Sequence, residues 1–450
     1  MSHECCNDFT RAQLLRGAAA EAGRGLPAIK PGMPAPAGTG LTRRRFISRG
    51  AGLALAVYGA SKIPLGAFDR GIAAAAQADK VLISIFFEGG IDALSVLAPV
   101  GDPRYTTLRP TLKQAEGDGP AFGEDPSLQW HPGAAALATL HDEGKVSAFP
   151  AIGYEHPDQS HFTSRHYYEI GELDIGQHAG WLGRYLDVVG DEDNPLQGLS
   201  MDGALSPMLA TAEKPVAAVD SVDSYDMWSP VSAPIDAEMY KSFAKFGSLP
   251  SDSPALLQVR RATAQTEQLR EELGGIGAIE SPVAYPEGDF AHKLSGLANY
   301  LDRGLPVRVV SIRAAGGYDT HSDQSEDLAK YLTETCEGIL AFQRDLEARG
   351  LQDRVMIEMW SEFGRRPQEN GSGGTDHGAA GCAFVIGSQA QGTMVGEFPG
   401  LTNLDGEENL RVTSDFRGMY CSLLEQWLGF DSAQVIPGAA GFARPQLVKA

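Results

Sequence analysis

The chain has 450 residues, 43% of them hydrophobic and 21% charged, ample for a large buried core in one big domain with insertions or in two domains. Its formal net charge of −21 disfavours nucleic acid and anionic membrane as partners, because phosphate binding needs basic patches. Of the five cysteines, Cys5 and Cys6 fall in an N-terminal leader, and Cys336, Cys382 and Cys421 stand in apolar surroundings, which suits core packing rather than a disulfide framework.

Residues 1–78 read as that leader. Thr42-Arg43-Arg44-Arg45-Phe46-Ile47 resembles the twin-arginine export motif, and the apolar run AGLALAVYGA (51–60) follows it. Ala76-Gln77-Ala78 then offers a small-residue cleavage site. The alternative is a basic linker before a buried helix. The run is too short for a membrane span, and no cysteine follows it closely, so no stable membrane anchor is expected. The expected partner in export is the twin-arginine translocase, and the expected destination is the periplasm or the medium. Met33 is an alternative start.

Residues 79–450 are expected to form the folded domain, and five stretches in it share one grammar. KVLISIFF (80–87) runs into Glu88-Gly89-Gly90-Ile91-Asp92, and KVSAFPAIGY (145–154) runs into a loop ending Gln159-Ser160-His161. PVRVVSIRAA (306–315) leads to Asp319-Thr320-His321, and DRVMIEMW (353–360) to Ser361-Glu362-Phe363-Gly364-Arg365-Arg366. The fifth reverses the order: GSGGTDHGAAG (371–381), which carries Asp376-His377, precedes the apolar CAFVIG (382–387). Between them, Leu328, Leu332, Cys336, Ile339 and Leu346 at helical spacing predict a helix over 323–349 that stops at Gly350. A second helix is predicted over 414–428, started by Ser414 and Asp415. Apolar strands alternating with helices predict an α/β fold: a doubly wound, mostly parallel sheet covered on both faces. Residues 190–300 break the pattern and read as an inserted cap, with one helix at roughly 254–274 and loop over 275–290.

In an open α/β sheet, ligands bind beyond the carboxyl ends of the strands. Asp92, Ser160, His161, Asp319, His321 and Glu362 would therefore meet at one rim. Crowded carboxylates need a cation between them, and added imidazoles suit Zn²⁺, Mn²⁺ or Fe better than Ca²⁺. Each residue has a plainer alternative. Asp92 caps the next helix, Glu362 pairs with an arginine of its own turn, and His161 is a hydrogen-bonded core histidine. Asp319 and His321 belong to an ordinary loop, and Asp376-His377 to a mobile one. His131 and His166 read as structural.

The set GGIDALS, DQSHF, GGYDTH, SEFGRR, GGTDHG and TSDFRGMY, in this order behind a twin-arginine leader, resembles the bacterial family called domain of unknown function 1501. The likeness covers almost all of residues 80–448. That family is similar to the alkaline phosphatase and sulfatase superfamily, whose doubly wound core carries a two-metal cluster that activates a Ser, Thr or formylglycine nucleophile. The resemblance implies metal ligation by Asp92, by Asp319 with His321, by Glu362, and by His377 with Asp376 beside or behind it. It puts Ser160 in the nucleophile's region, and Arg365 or Arg366 is a candidate clamp for a substrate oxyanion. Three departures stand out: Ile91 where the family has Asn, Gln159 where it commonly has Arg, and no His after Glu362. No sulfatase signature for formylglycine occurs.

Together these readings predict an exported hydrolase of phosphate or sulfate esters, on a small-molecule or glycan substrate. It would depend on one or two divalent ions, Zn²⁺ or Mn²⁺. The alternatives are a non-catalytic metal- or glycan-binding protein on the same fold, and a structural partner in a cell-surface assembly.

Overall fold

Val81–Phe86 is apolar at five of six positions and buried at all six, as a strand flanked by neighbours on both sides must be. In the computed structural model it lies near the middle of a nine-stranded sheet. The strands run in the order Leu55–Tyr58, Val216–Val219, Gly198–Ser200, Val309–Arg313, Val81–Phe86, Val355–Trp360, Gly381–Ile386, Val146–Gly153 and Ser414–Asp415. The structure describes residues 55–58, 80–191, 194–219, 235–253 and 279–449, with scattered positions between 256 and 273. The chain divides into units 1–52 and 53–450, and all described residues belong to the second.

Pairing is parallel from Val216–Val219 through to Val355–Trp360. Gly381–Ile386 then runs antiparallel to both of its neighbours, and Leu55–Tyr58 antiparallel to Val216–Val219 at the edge. The expected mostly parallel α/β architecture is what the structure shows. The reversed fifth stretch has a structural counterpart: an antiparallel strand starts where its parallel neighbours finish, so the loop before it and the loops after them share one rim.

Alternation along the strands feeds two cores. Val81, Ile83, Ile85, Val355, Ile357 and Met359 face one side, packed by Leu328, Leu332, Cys336 and Ile339 of the helix Gln324–Arg349. Leu82, Phe86, Met356 and Trp360 face the other, under the helices His161–Ile170, Trp181–Val189 and Phe416–Ser422. The long helix ends as expected at Gly350, whose φ of 70° is the left-handed conformation glycine adopts freely. The helix predicted over 414–428 starts after Asp415, whose carboxylate accepts the Arg417 N–H, and passes at Leu423–Trp427 into a wider π-type turn.

The stretch 190–300 is not a cap throughout. Gly198–Ser200 and Val216–Val219 extend the sheet, and Asp289–Asp302 packs Leu294 and Leu297 into the first core. Small residues hid these strands: GLS and VAAV are too short and too plain to stand out from loop. The helix expected over 254–274 lies largely outside the described residues, as do the twin-arginine motif, the cleavage site and Met33. Of the apolar run 51–60, Leu55–Tyr58 forms the edge strand. Among the described residues, no helix is long and apolar enough to cross a membrane. Cys336, Cys382 and Cys421 are free and buried.

Candidate metal centre

Four of the expected loops leave the sheet at one rim, and the segment entering Gly381–Ile386 joins them. Asp319 is the hub. Its Oδ1 is 3.1 Å from His321 Nε2 and 3.4 Å from both His161 Nε2 and His377 Nε2. It also accepts a hydrogen bond from Arg365 Nη2 at 2.5 Å. His161, Asp319 and His377 each offer one ligand atom, all within 4.8 Å of one another. His321 stands on the open side, its Nε2 3.0 Å from that of His377.

Each imidazole is held from behind through Nδ1. His161 Nδ1 meets Glu362 Oε1 at 2.8 Å, His377 Nδ1 meets the Gln159 carbonyl at 2.8 Å, and His321 Nδ1 lies 3.3 Å from Asp376 Oδ1. An oxygen acceptor at Nδ1 keeps the proton there and leaves Nε2 with its lone pair. Three lone pairs and a carboxylate oxygen then face one another, an arrangement that repels itself unless a proton or a metal cation lies among them.

The electrostatics agree with a positive charge among them. Burial would raise the Asp319 carboxyl, yet the surrounding imidazoles and Arg365 outweigh it and hold the group far below the usual carboxylate range. Burial would lower His161, but Asp319 and Glu362 push it up to about 9. Burial also lowers His377, further depressed by Arg365 and His161, which keeps its nitrogen available as a ligand. Among the described residues, His161 Nε2 is buried and has no partner of hydrogen-bond geometry. Two imidazoles with one carboxylate, and a third imidazole beside them, are a donor set suited to Zn²⁺, Mn²⁺ or Fe.

Glu362 lies behind His161 rather than in the group that could hold an ion. Its carboxylate is buried and accepts the N–H groups of Gly89 (3.0 Å) and Gly90 (3.1 Å) and the Ser361 hydroxyl (3.0 Å). Gly89 and Gly90, at φ 119° and 78°, turn their amides toward it, a conformation a side chain would resist. Asp376 likewise sits behind His321, where Asn370 Nδ2 also reaches its Oδ1 at 3.2 Å.

Asp92 is apart from this group. Its carboxylate is buried against Arg109, with Oδ1 accepting from Nη2 at 2.9 Å and Oδ2 from Nη1; Ser95 and Gln324 complete the set. Burial would raise its pKa, and Arg109 more than reverses that. It occupies the N-cap position of the helix Ala93–Val96 without capping through its side chain. Arg365 is consumed too, since its guanidinium donates to the carbonyls of Gly89, Gly90, Tyr318 and Thr375 as well as to Asp319. Its side chain is fully buried, which leaves it no exposed face toward a substrate in this conformation. Arg366 reaches the Glu407 carbonyl at 3.2 Å. Ser160 is the N-cap residue of the helix His161–Ile170, with its backbone N–H on Asp158; among the described residues its hydroxyl bonds none of the cluster. His131 accepts the Gly133 N–H through Nδ1, a structural turn. Arg109, Gln324 and the Gln159 carbonyl carried no sequence signal.

The family described as protein of unknown function (DUF1501) matches residues 131–441. The chain belongs to this family. No curated protein matches it. Among solved structures it is similar to a protein in the alkaline phosphatase superfamily from Vibrio parahaemolyticus, at 8% identity over 80% of this chain and 74% of that one, with a TM-score of 0.33. It is also similar to the soluble domain of lipooligosaccharide phosphoethanolamine transferase A from Neisseria meningitidis, at 10% identity over 85% and 95%, TM-score 0.29. A third is a sulfatase from Pseudoalteromonas sp., at 12% identity over 81% and 72%, TM-score 0.27. At such identities these likenesses say nothing of this chain's substrate or reaction.

Proposed function

We propose that this DUF1501 protein is an exported, metal-dependent hydrolase acting on phosphate or sulfate esters in the periplasm or medium. The observation that carries the metal reading is the convergence of His161 Nε2 and His377 Nε2 on Asp319 Oδ1, with His321 Nε2 beside them. His161, Asp319 and His377 would hold the ion, with His321 at its open side. A bound Zn²⁺ or Mn²⁺ would supply a Lewis acid and a water of lowered pKa. The protein's own part is orientation. Glu362, the Gln159 carbonyl and Asp376 fix three tautomers, and Arg365 holds Asp319 in place while offsetting its charge. Ser160, adjoining His161 at the helix start, is the candidate hydroxyl for nucleophilic attack.

The decisive experiment is metal analysis of the purified chain before and after incubation with Zn²⁺ or Mn²⁺, followed by a panel of aryl phosphate, phosphodiester and sulfate esters. Stoichiometric uptake abolished by His161→Ala, with turnover lost in the same variant, is expected. No uptake of either ion would end the proposal.

A second reading has its own support: a metal-binding protein without hydrolysis. Arg365 is buried among carbonyls and Asp319, and among the described residues the Ser160 hydroxyl bonds none of the histidines. Uptake of metal with no turnover on the same panel would favour it.

A further inference from the structure

We infer that Gln324, backed by the Asp92–Arg109 pair, is a positioning residue for the metal centre: it holds the two loops that carry Asp319, His321 and His377 without touching the ion. The inference rests on the metal reading above.

Gln324 opens the helix Gln324–Arg349 and is almost wholly buried. Its amide uses both donors and two acceptor positions. Nε2 donates to Asp92 Oδ2 and to Ser95 Oγ at 3.2 Å, while Oε1 accepts from Thr320 Oγ1 at 3.0 Å and Thr375 Oγ1 at 2.6 Å. Thr320 lies between Asp319 and His321, and Thr375 lies two residues before His377. The two loops are also joined directly, Thr375 N–H to the Thr320 carbonyl at 3.0 Å, and the Gln324 N–H reaches the Gly373 carbonyl at 3.1 Å.

The direction of the amide is what matters. The threonine hydroxyls could meet either end of the amide, and Asp92 fixes the choice: an ionised carboxylate accepts and never donates, so Nε2 faces Asp92 and Oε1 takes the two hydroxyl protons. Arg109 in turn keeps Asp92 ionised and ties it to the backbone after Glu362, through the carbonyls of Arg366 (2.9 Å) and Pro367 (2.8 Å). The chain of contacts therefore runs from Arg109 through Asp92 and Gln324 to both ligand loops, and every buried group in it has a partner. An apolar residue could fill the space but could not fix the hydroxyls. Groups that orient ligands from behind are worth roughly 10–100-fold in metal affinity.

The test is titration of the full-length chain with Co²⁺ alone, read by its visible absorption bands, alongside thermal melting. Gln324→Met and Thr375→Val keep shape and lose the hydrogen bonds; Thr375→Ser keeps the hydroxyl. The expected result is an affinity about 10-fold or more weaker in the first two, near wild type in Thr375→Ser, with unchanged band positions because the ligand set is intact. Affinity at the wild-type level in Gln324→Met and Thr375→Val would overturn the inference. So would a loss in Thr375→Ser equal to that in Thr375→Val, or bands that move, since either means packing or direct ligation instead. A wild-type chain that takes up no Co²⁺ would overturn the metal reading and this inference with it, an outcome distinct from a wild type that binds and variants that bind equally.

Discussion

Glu362 Oε1 and His161 Nδ1 meet at 2.8 Å across 201 residues of sequence. That contact joins the strand Val355–Trp360 to the helix His161–Ile170 and sets which imidazole nitrogen faces Asp319. Glu362→Gln should weaken Zn²⁺ binding by about 10–100-fold, measured by competition with a chromophoric chelator. The same change leaves one of the Gly89 and Gly90 amides without its acceptor and should lower unfolding free energy by about 1–3 kcal/mol. Unaltered Zn²⁺ affinity would show that His161 needs no such support.

Asp92 and Arg109 form an ion pair with both side chains inaccessible to solvent. Removing one partner strands a charge in the interior. Asp92→Ala should cost about 3–5 kcal/mol in urea unfolding, and Asp92→Ala with Arg109→Met should recover a good part of that loss. Equal losses in the single and double variants would mean the pair is not the source of the cost.

Gly374 sits where an added Cβ would lie 2.3 Å from the Thr320 carbonyl oxygen and 2.4 Å from the His321 carbonyl carbon. Gly374→Ala must therefore push the strand Thr375–His377 off the Asp319 loop. The expected result is a loss of metal uptake larger than that of Gly371→Ala, where the added atom meets nothing within 4 Å. Both variants are read by the same Co²⁺ titration.

Glu358 supplies a pH dependence unrelated to the candidate metal centre. It is fully buried in the strand Val355–Trp360, and burial pushes its pKa from 4.5 up to about 8, with the nearby Ser84 hydroxyl offsetting part of the rise. Between those two values the unfolded chain has released this proton while the folded chain retains it. Stability should therefore fall as pH rises from 4.5 to about 8 and level off above. Glu358→Gln removes this slope, and at pH 8 it should stabilise the protein by at most about 5 kcal/mol. Unfolding midpoints of wild type and variant that run parallel from pH 5 to about 8 would refute it.

Much of the rim was legible because the sheet advertises itself. Val81–Phe86, Val146–Gly153, Val309–Arg313, Val355–Trp360 and Gly381–Ile386 are runs that only a buried strand explains, and polar residues just outside such runs are placed by topology. Roles were less legible than places. Asp319, His321 and His377 and the support positions Glu362 and Asp376 look alike in sequence, since each is an acid or imidazole in a loop beside an apolar run. What separates them is which atom faces inward, and that depends on partners such as the Gly89 and Gly90 amides, 273 and 272 residues from Glu362. Asp92 could not be told from a ligand because Arg109 lies in an ordinary stretch and its ion pair forms only in the fold. Arg365 looked free for substrate because the carbonyls that engage it carry no side-chain signature.

The strand Gly381–Ile386 slots between Val355–Trp360 and Val146–Gly153, and His377 on its approach bonds a carbonyl 218 residues earlier in the chain. The centre is therefore among the last things the chain can assemble, since closing so long a loop precedes any reward from its contacts. A cation at this site would have nothing to bind until that strand is seated. Loading would then belong to the finished protein, and any truncation before residue 377 would remove His377 from the rim.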